Sequence, residues 1–274
     1  MNTLPRVPRA VITALPRLFV LALVLLAAAC ASRNETSIPA VMPVPADAAL
    51  AAWERFEDYS TARSSEDGPF RLQCSLRYTN QGEGRRVTAI IWGNGDLPLR
   101  LDVTSMGVLA GRIRQDASEL LIHSPREDKA WMHRGGQQAF LAFGLPVPLT
   151  LPDVVALLQG RYLDVFGLAE GVDPVQAGND IRYRLENGAL PGTVTLTPEG
   201  LLTNWQEAPG GWNLDIAYSG TPPLPETLEI DHPEGRHAVL TVTERESVEP
   251  FSDSQLALIL PPGTDLANLR QASR

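Results

Sequence analysis

Four histidines, His123, His133, His232 and His237, are where acid–base or metal chemistry would begin in this sequence. His232 and His237 flank Pro233-Glu-Gly235 and are placed to face each other across a hairpin. A protein zinc centre takes at least three protein ligands, so a solvated hairpin surface is the simpler expectation. Glu226, Glu229, Asp231, Glu244 and Glu246 offer carboxylate pairs of the kind glycoside hydrolysis uses. On strands the same residues make an ordinary solvated sheet face. G-x-S-x-G, H-E-x-x-H, the phosphate-binding P-loop and G-x-G-x-x-G do not occur. The chain is therefore read as no enzyme, with no cofactor and no metal.

Two cysteines remain, with different expected fates. Cys30 closes the uncharged apolar run from Leu18 to Ala29, behind Arg6, Arg9 and Arg17 and no acidic residue. A basic start, a short apolar stretch and small residues form a secretory signal. Leu26-Ala-Ala-Ala-Cys30 resembles a bacterial lipobox, with Ala27 where leucine is usual. In signals of that kind the cysteine becomes the first mature residue and carries lipid on its thiol and its new amine. The apolar run falls short of the roughly 20 residues a membrane helix needs. Residues 1–29 are read as a signal peptide and 30–45 as a lipidated flexible tether. Two or more acyl chains give stable anchoring. Ala31, which is not aspartate, favours the outer over the inner membrane by resemblance to enteric sorting rules. Once Cys30 is acylated, Cys74 has no partner for a disulfide. Cys74 alternates with Phe70, Leu72, Leu76 and Tyr78 on one face of a strand, so it is expected buried and inert.

The 245 residues left after the first 29 of 274 are enough for one large or two small domains. Removing the three signal arginines leaves 20 basic against 32 acidic residues, a charge of −12. That balance excludes nucleic acid as a natural partner and a basic patch as a way of holding anionic lipid. Hydrophobic residues make up 44% of the chain, enough for a sizeable core.

A helix is expected over Asp47–Ser60, capped by Asp47, with Leu50, Trp53, Phe56 and Tyr59 as its apolar stripe. Strands follow at Phe70–Tyr78, Val87–Trp92, Leu97–Thr104, Ala110–Gln115, Ser118–His123 and Lys129–His133. Val87–Trp92 is apolar on both faces, as a central or doubly covered strand would be. Thr150-Leu-Pro-Asp opens a second helix through Gln159, ended by Gly160. Gly167–Gly178 is poorly patterned and reads as an insertion or loop. Further strands are expected at Ile181–Leu185, Thr193–Thr197, Leu201–Gln206, Trp212–Ser219, Thr227–Asp231 and Arg236–Arg245. Pro198-Glu-Gly200, Pro209-Gly-Gly211 and Pro233-Glu-Gly235 turn between them. Leu256–Leu260 reads as an edge strand or packing strap, and the last ten residues as frayed. The fold class is mainly β: a single strongly curved antiparallel sheet of eleven or twelve strands, an open half-barrel, with a few helices covering its concave side. The domain runs over 46–250, and 251–274 is a C-terminal extension.

One turn breaks the usual polarity of hairpin tips. Between Leu97–Thr104 and Ala110–Gln115 the chain reads Ser105-Met-Gly-Val-Leu109. Met106, Val108 and Leu109 around Gly107 either form an exposed apolar knob or fold back onto the core. Exposed and inserted in lipid, each would contribute up to roughly 1.5–3 kcal/mol. That is too little to anchor a protein and useful to one already tethered.

Ala89-Ile-Ile-Trp92, Leu99-Arg-Leu-Asp-Val-Thr-Ser-Met-Gly107, Trp212-Asn-Leu-Asp-Ile-Ala-Tyr218 and Leu224-Pro-Glu-Thr-Leu-Glu-Ile230 occur in this order, with the lipobox before them and a helix after residue 150. In order and spacing, over most of Trp53–Arg245, the chain resembles the LolB-type outer-membrane lipoprotein receptors. The resemblance implies an unclosed curved sheet with plugging helices, an apolar cavity for acyl chains and a protruding loop that touches the membrane. It implies that the chain accepts lipoproteins from a periplasmic carrier and places them in the outer membrane, acting as a monomer. Carried over, the membrane-contacting residue falls on Met106, within Met106, Gly107, Val108 and Leu109. Ser105 stands where the family often has proline. Candidates for the cavity wall are Trp92, Leu99, Leu101, Val103, Trp131, Phe140, Phe143, Leu157 and Leu158, each equally readable as plain core. The alternative is a structural or assembly lipoprotein that uses the same fold to bind a partner.

Overall fold

Period-two alternation runs through both halves of the chain, and both halves build one sheet. The computed structural model describes residues 44–66, 68–80, 82–134, 149–167, 170–207 and 211–268. Cys30, Phe140, Phe143 and the first two residues of Pro209-Gly-Gly211 lie outside them. The order is α1 (Ala46–Ser65), β1 (Phe70–Asn80), β2 (Glu83–Asn94), β3 (Asp96–Ser105), β4 (Val108–Gln115), β5 (Leu120–Ser124) and β6 (Lys129–His133). Then come α2 (Leu151–Gln159), α3 (Tyr162–Phe166), β7 (Glu170–Ala177), β8 (Asp180–Glu186), β9 (Gly192–Leu196), β10 (Leu202–Glu207), β11 (Asn213–Ser219), β12 (Leu224–His232) and β13 (Arg236–Ser247). A short helix, α4 (Asp253–Leu256), and β14 (Asp265–Asn268) end the described chain.

The sheet has 14 strands in the order β14-β6-β5-β4-β3-β2-β1-β13-β12-β11-β10-β9-β8-β7. It is not one meander, as the sequence suggests, but two. Strands β1 to β6 run outward from the centre, and β7 to β13 run inward from the far edge. Antiparallel β1 and β13 join them, from Phe70 opposite Ser247 to Thr79 opposite His237. The ends, β14 and β7, do not pair, so the sheet stays open. It is strongly curved nonetheless. Helix α2 packs on both β3 and β12, four strand spacings or about 19 Å apart in a flat sheet. A nine-residue helix, about 14 Å long and 10–12 Å thick, meets both because the sheet curls around it.

The sequence of α2 explains its central place. Thr150 and Asp153 form a reciprocal capping box, Pro152 sits in the first turn, and Gly160 closes the helix at φ +79°. Leu151, Val154, Val155, Ala156, Leu157 and Leu158 are all buried, so the helix is apolar all round, as a core helix must be. Helix α1 is amphipathic, and of the stripe the sequence suggests Phe56 is buried and Trp53 and Tyr59 pack against the core, while Leu50 does not. Ala49, Ala52, Phe56 and Ser60 are its buried residues, whereas Leu50 is 59% exposed. The small alanines allow close approach, and aromatic rings set the docking: Trp53 against Tyr183 and Phe56 stacked on Tyr162. Asp47 is in the first turn and makes no capping hydrogen bond; Pro45 holds the cap position.

Two further expectations change. Gly167–Gly178 contains the edge strand β7, whose alternation is hidden by a register shift between Val172 and Val175 around Pro174. That placement suits a proline, which is tolerated at edges and bulges. At the other edge Asp265–Asn268 pairs parallel with β6, so these four residues are not frayed. The stretch before β14 is a strap: Asn94 exchanges two hydrogen bonds with the Phe251 backbone, Arg100 donates to the Ala257 carbonyl, and Thr264 binds Asp128. Leu256 and Leu258 are its buried residues.

Candidate functional site

The β3–β4 hairpin closes in two residues, with Ser105 opposite Val108. Met106 and Gly107 both take positive φ, +50° and +78°. This is the conformation that tight hairpins give to Asn-Gly or Gly-Gly, because an ordinary side chain is strained there. Methionine occupies it with its side chain 99% exposed, beside Val108 at 69%. Leu109 is half-buried. The tip therefore projects; it does not fold back onto the core.

The expected cavity wall is largely filled core. Leu99, Leu101, Leu157 and Leu158 are buried in one hydrophobic cluster, with Val103 and Trp131 packed against it. Trp92 is a correction. It lies opposite Arg100, one residue out of step with Ile91 opposite Leu101, so it stands on the other face of the sheet. There the Arg100 guanidinium carbon sits 5.1 Å from the Trp92 ring centre.

A cleft of about 240 Å³ opens elsewhere, between the C-terminal ends of α1 and α2 and the paired ends of β1, β12 and β13. Phe70, Leu72 and Leu224 give it apolar walls, and Arg63, Gln159 and Arg245 bring polar groups. None of these belongs to the expected wall. Arg245 reaches the interior because of a bulge. Cys74 pairs with Val242, but Gln73 pairs with Glu244, so one residue of β13 is extra. Past that bulge the alternation inverts, and Arg245 sits opposite buried Leu72 while Glu246 sits opposite Arg71. Strict alternation from Leu240 and Val242 would send Glu244 inward and Arg245 out, so period-two reading alone misses it. Above the cleft the tyrosines are bonded: Tyr162 to Tyr218, Tyr218 to the Leu202 carbonyl, and Tyr59 to the Pro223 carbonyl. Burial holds the Tyr59 and Tyr162 hydroxyls above their ordinary pKa.

The histidines do not converge. His232 packs its ring 4.5 Å from that of Trp212. His237 instead bonds Asp231 at 2.8 Å, with Glu229 at 4.0 Å. Glu229, Asp231 and His237 place one ligand atom each within 4.8 Å of the others, so they are the described residues best able to hold a divalent ion. They are exposed or half-exposed on the sheet surface, and the Asp231–His237 bond satisfies that pair without an ion. His123 is buried, and neither ring nitrogen has a partner among the described residues.

No protein-family model matches the sequence, and no curated protein matches it. Solved structures match the fold. A LolA superfamily protein from Nitrosomonas europaea aligns with a TM-score of 0.51 at 10% identity, over 77% of this chain and 97% of that one. A DUF1329 family protein from Desulfovibrio piger aligns at 0.48 and 9% identity, over 75% and 97%. An outer membrane lipoprotein-sorting protein domain from Vibrio parahaemolyticus aligns at 0.48 and 10%, over 74% and 96%. The chain has a LolA/LolB-like fold: one open, curved, mostly antiparallel sheet wrapped on a few helices.

Proposed function

We propose that the chain is an outer-membrane lipoprotein, anchored through Cys30, that binds acyl chains and receives lipoproteins from a periplasmic carrier for insertion into the membrane. Residues 1–29 are its export signal and 30–45 its lipidated tether. One observation carries the reading: a methionine 99% exposed at a left-handed turn position that favours asparagine or glycine. A strained residue that packs on nothing is accounted for if it touches something outside the protein. A bilayer suits it, since Met106 and Val108 together offer apolar surface and no charge. The fold likeness supports the lipid-handling part of the reading.

The site would work without covalent chemistry. The anchor supplies standing affinity, and the tip adds a reversible contact of a few kcal/mol. The cleft, at about 240 Å³, is below the roughly 300–1,000 Å³ of small-molecule sites. An acyl chain that enters at this cleft would have to part α1 or α2 from the sheet. Transfer of a lipoprotein from a loaded carrier to outer-membrane vesicles tests the proposal. Failure of the wild-type protein to accelerate transfer sinks it.

A specific observation favours a second reading, an assembly lipoprotein that binds a partner through the same fold. Leu157 and Leu158 are fully buried, so the interior is already filled where an acyl chain would lie. Native mass spectrometry of a Cys30→Ala form separates the two: co-purified lipid supports the first reading, and a bare protein supports the second.

A further inference from the structure

We infer that the cleft under the ends of α1 and α2 is a subsite for the oxyanion head of an amphiphile, held by Arg245 and Arg63. The inference rests on the acyl-binding reading and names the headgroup that goes with the tail.

Arg245 is a half-buried cation on the inner face of an otherwise apolar sheet centre, beside Cys74, Tyr59 and Tyr162. A guanidinium has five donors. Arg245 gives one hydrogen bond, to the Pro225 carbonyl, and makes no ion pair among the described residues. Burial lowers its pKa, outweighing what Cys74, Tyr59, Glu226 and Tyr162 return; a neighbouring anion would restore it. Of the acidic residues that border the cleft, Glu246 binds Arg71 at 3.1 Å, and Glu66 binds one nitrogen of Arg63 at 2.7 Å, so an incoming oxyanion shares Arg63 with Glu66 and has Arg245 as its main partner.

The rim also carries a buried donor with no partner among the described residues, Arg63 Nε, on a residue that lines the cleft. Buried donors are nearly always satisfied, so one that borders a cavity fits an acceptor bound there. Two arginines fit a carboxylate or phosphate, whose oxygens accept from both guanidinium groups. Phe70, Leu72 and Leu224 in the same walls fit the first methylenes of a tail rather than a free ion. The bulge that turns Arg245 inward is a local device found beside binding sites.

Calorimetry on the whole protein with Cys30→Ala, using decyl phosphate, decanol and inorganic phosphate, tests this. Decyl phosphate should bind at least about tenfold tighter than decanol, the worth of one charge-assisted bond. Arg245→Met should bring that ratio close to one and leave decanol binding unchanged. Arg63→Gln, at the rim, should cut the ratio several-fold and serves if Arg245→Met does not fold. Equal binding of decyl phosphate and decanol overturns the head subsite and leaves the acyl reading standing. Binding of neither overturns both. Inorganic phosphate that binds as tightly as decyl phosphate overturns the amphiphile in favour of a simple anion site.

Discussion

Replacing Met106 by asparagine should make the protein more stable and worse at holding a membrane. The two effects come from the same residue through different physics. At φ +50° methionine bears a left-handed strain of roughly 1–2 kcal/mol, which asparagine largely relieves. The side chain is 99% exposed, so nothing in the core is lost. The expected gain is about 0.5–1 kcal/mol, or about 1–4 °C in Tm for a domain of this size. On the membrane side, burying a methionine is worth roughly 1.5–3 kcal/mol, so its removal should weaken partitioning about 10- to 100-fold. The assay is flotation with vesicles of neutral lipid, using the chain without Cys30 so that acyl anchoring does not mask the tip, beside urea unfolding of the same samples. A stabilised variant that floats as well as wild type would refute the membrane contact. A variant that loses stability would refute the strain argument.

Other outcomes follow from buried groups. Burial and the Arg112 charge lower the pKa of His123, against a smaller opposing effect of Asp128. The unfolded chain then binds the proton more readily, so stability should fall as pH drops below about 6.5; urea midpoints at pH 7 and 5.5 should converge in His123→Phe relative to wild type. Burial pushes the Cys74 thiol up to about 12, so with Cys30 replaced a thiol reagent at pH 8 should label the native protein not at all and the denatured chain once. Leu256→Ala should cost about 2–5 kcal/mol in chemical unfolding, because Leu256, 2% exposed, is a buried residue of the C-terminal strap.

The sheet was legible because most strands keep a clean alternation: Phe70, Leu72 and Cys74, and Trp212, Leu214 and Ile216, are buried as their patterns indicate, with Leu76, Tyr78 and Tyr218 half-buried against the same core. Helix α2 was legible from Thr150, Pro152 and Gly160, which carry their start and stop signals locally. What was hidden is long-range or irregular. Nothing in β1 announces β13 as its partner, so two meanders read as one. The stripe on α1 is set by Ala49 and Ala52, which carry weak hydrophobic signals, so Leu50 looked better than it is. Irregular register concealed β7 and turned Arg245 inward. Trp92 illustrates the remaining difficulty: a large apolar residue in a strand covered on both faces does not tell which side it takes. The tip was legible as composition, whereas its exposure and positive φ are properties of the folded hairpin.

The pairing of β1 with β13 also constrains how the protein can be made. Phe70 lies opposite Ser247, 177 residues later in the chain. A chain that emerges from its N-terminus cannot seat β1 between both its neighbours until nearly all of it has emerged. Such non-local contacts fold slowly and leave strand edges open meanwhile. The sheet centre thus forms last, which would suit the proposed export, in which the polypeptide passes a translocon unfolded. On that proposal its unfinished form should depend on periplasmic holding factors. Moving the chain ends, so that β1 and β13 become neighbours in sequence, should speed refolding and hinder export.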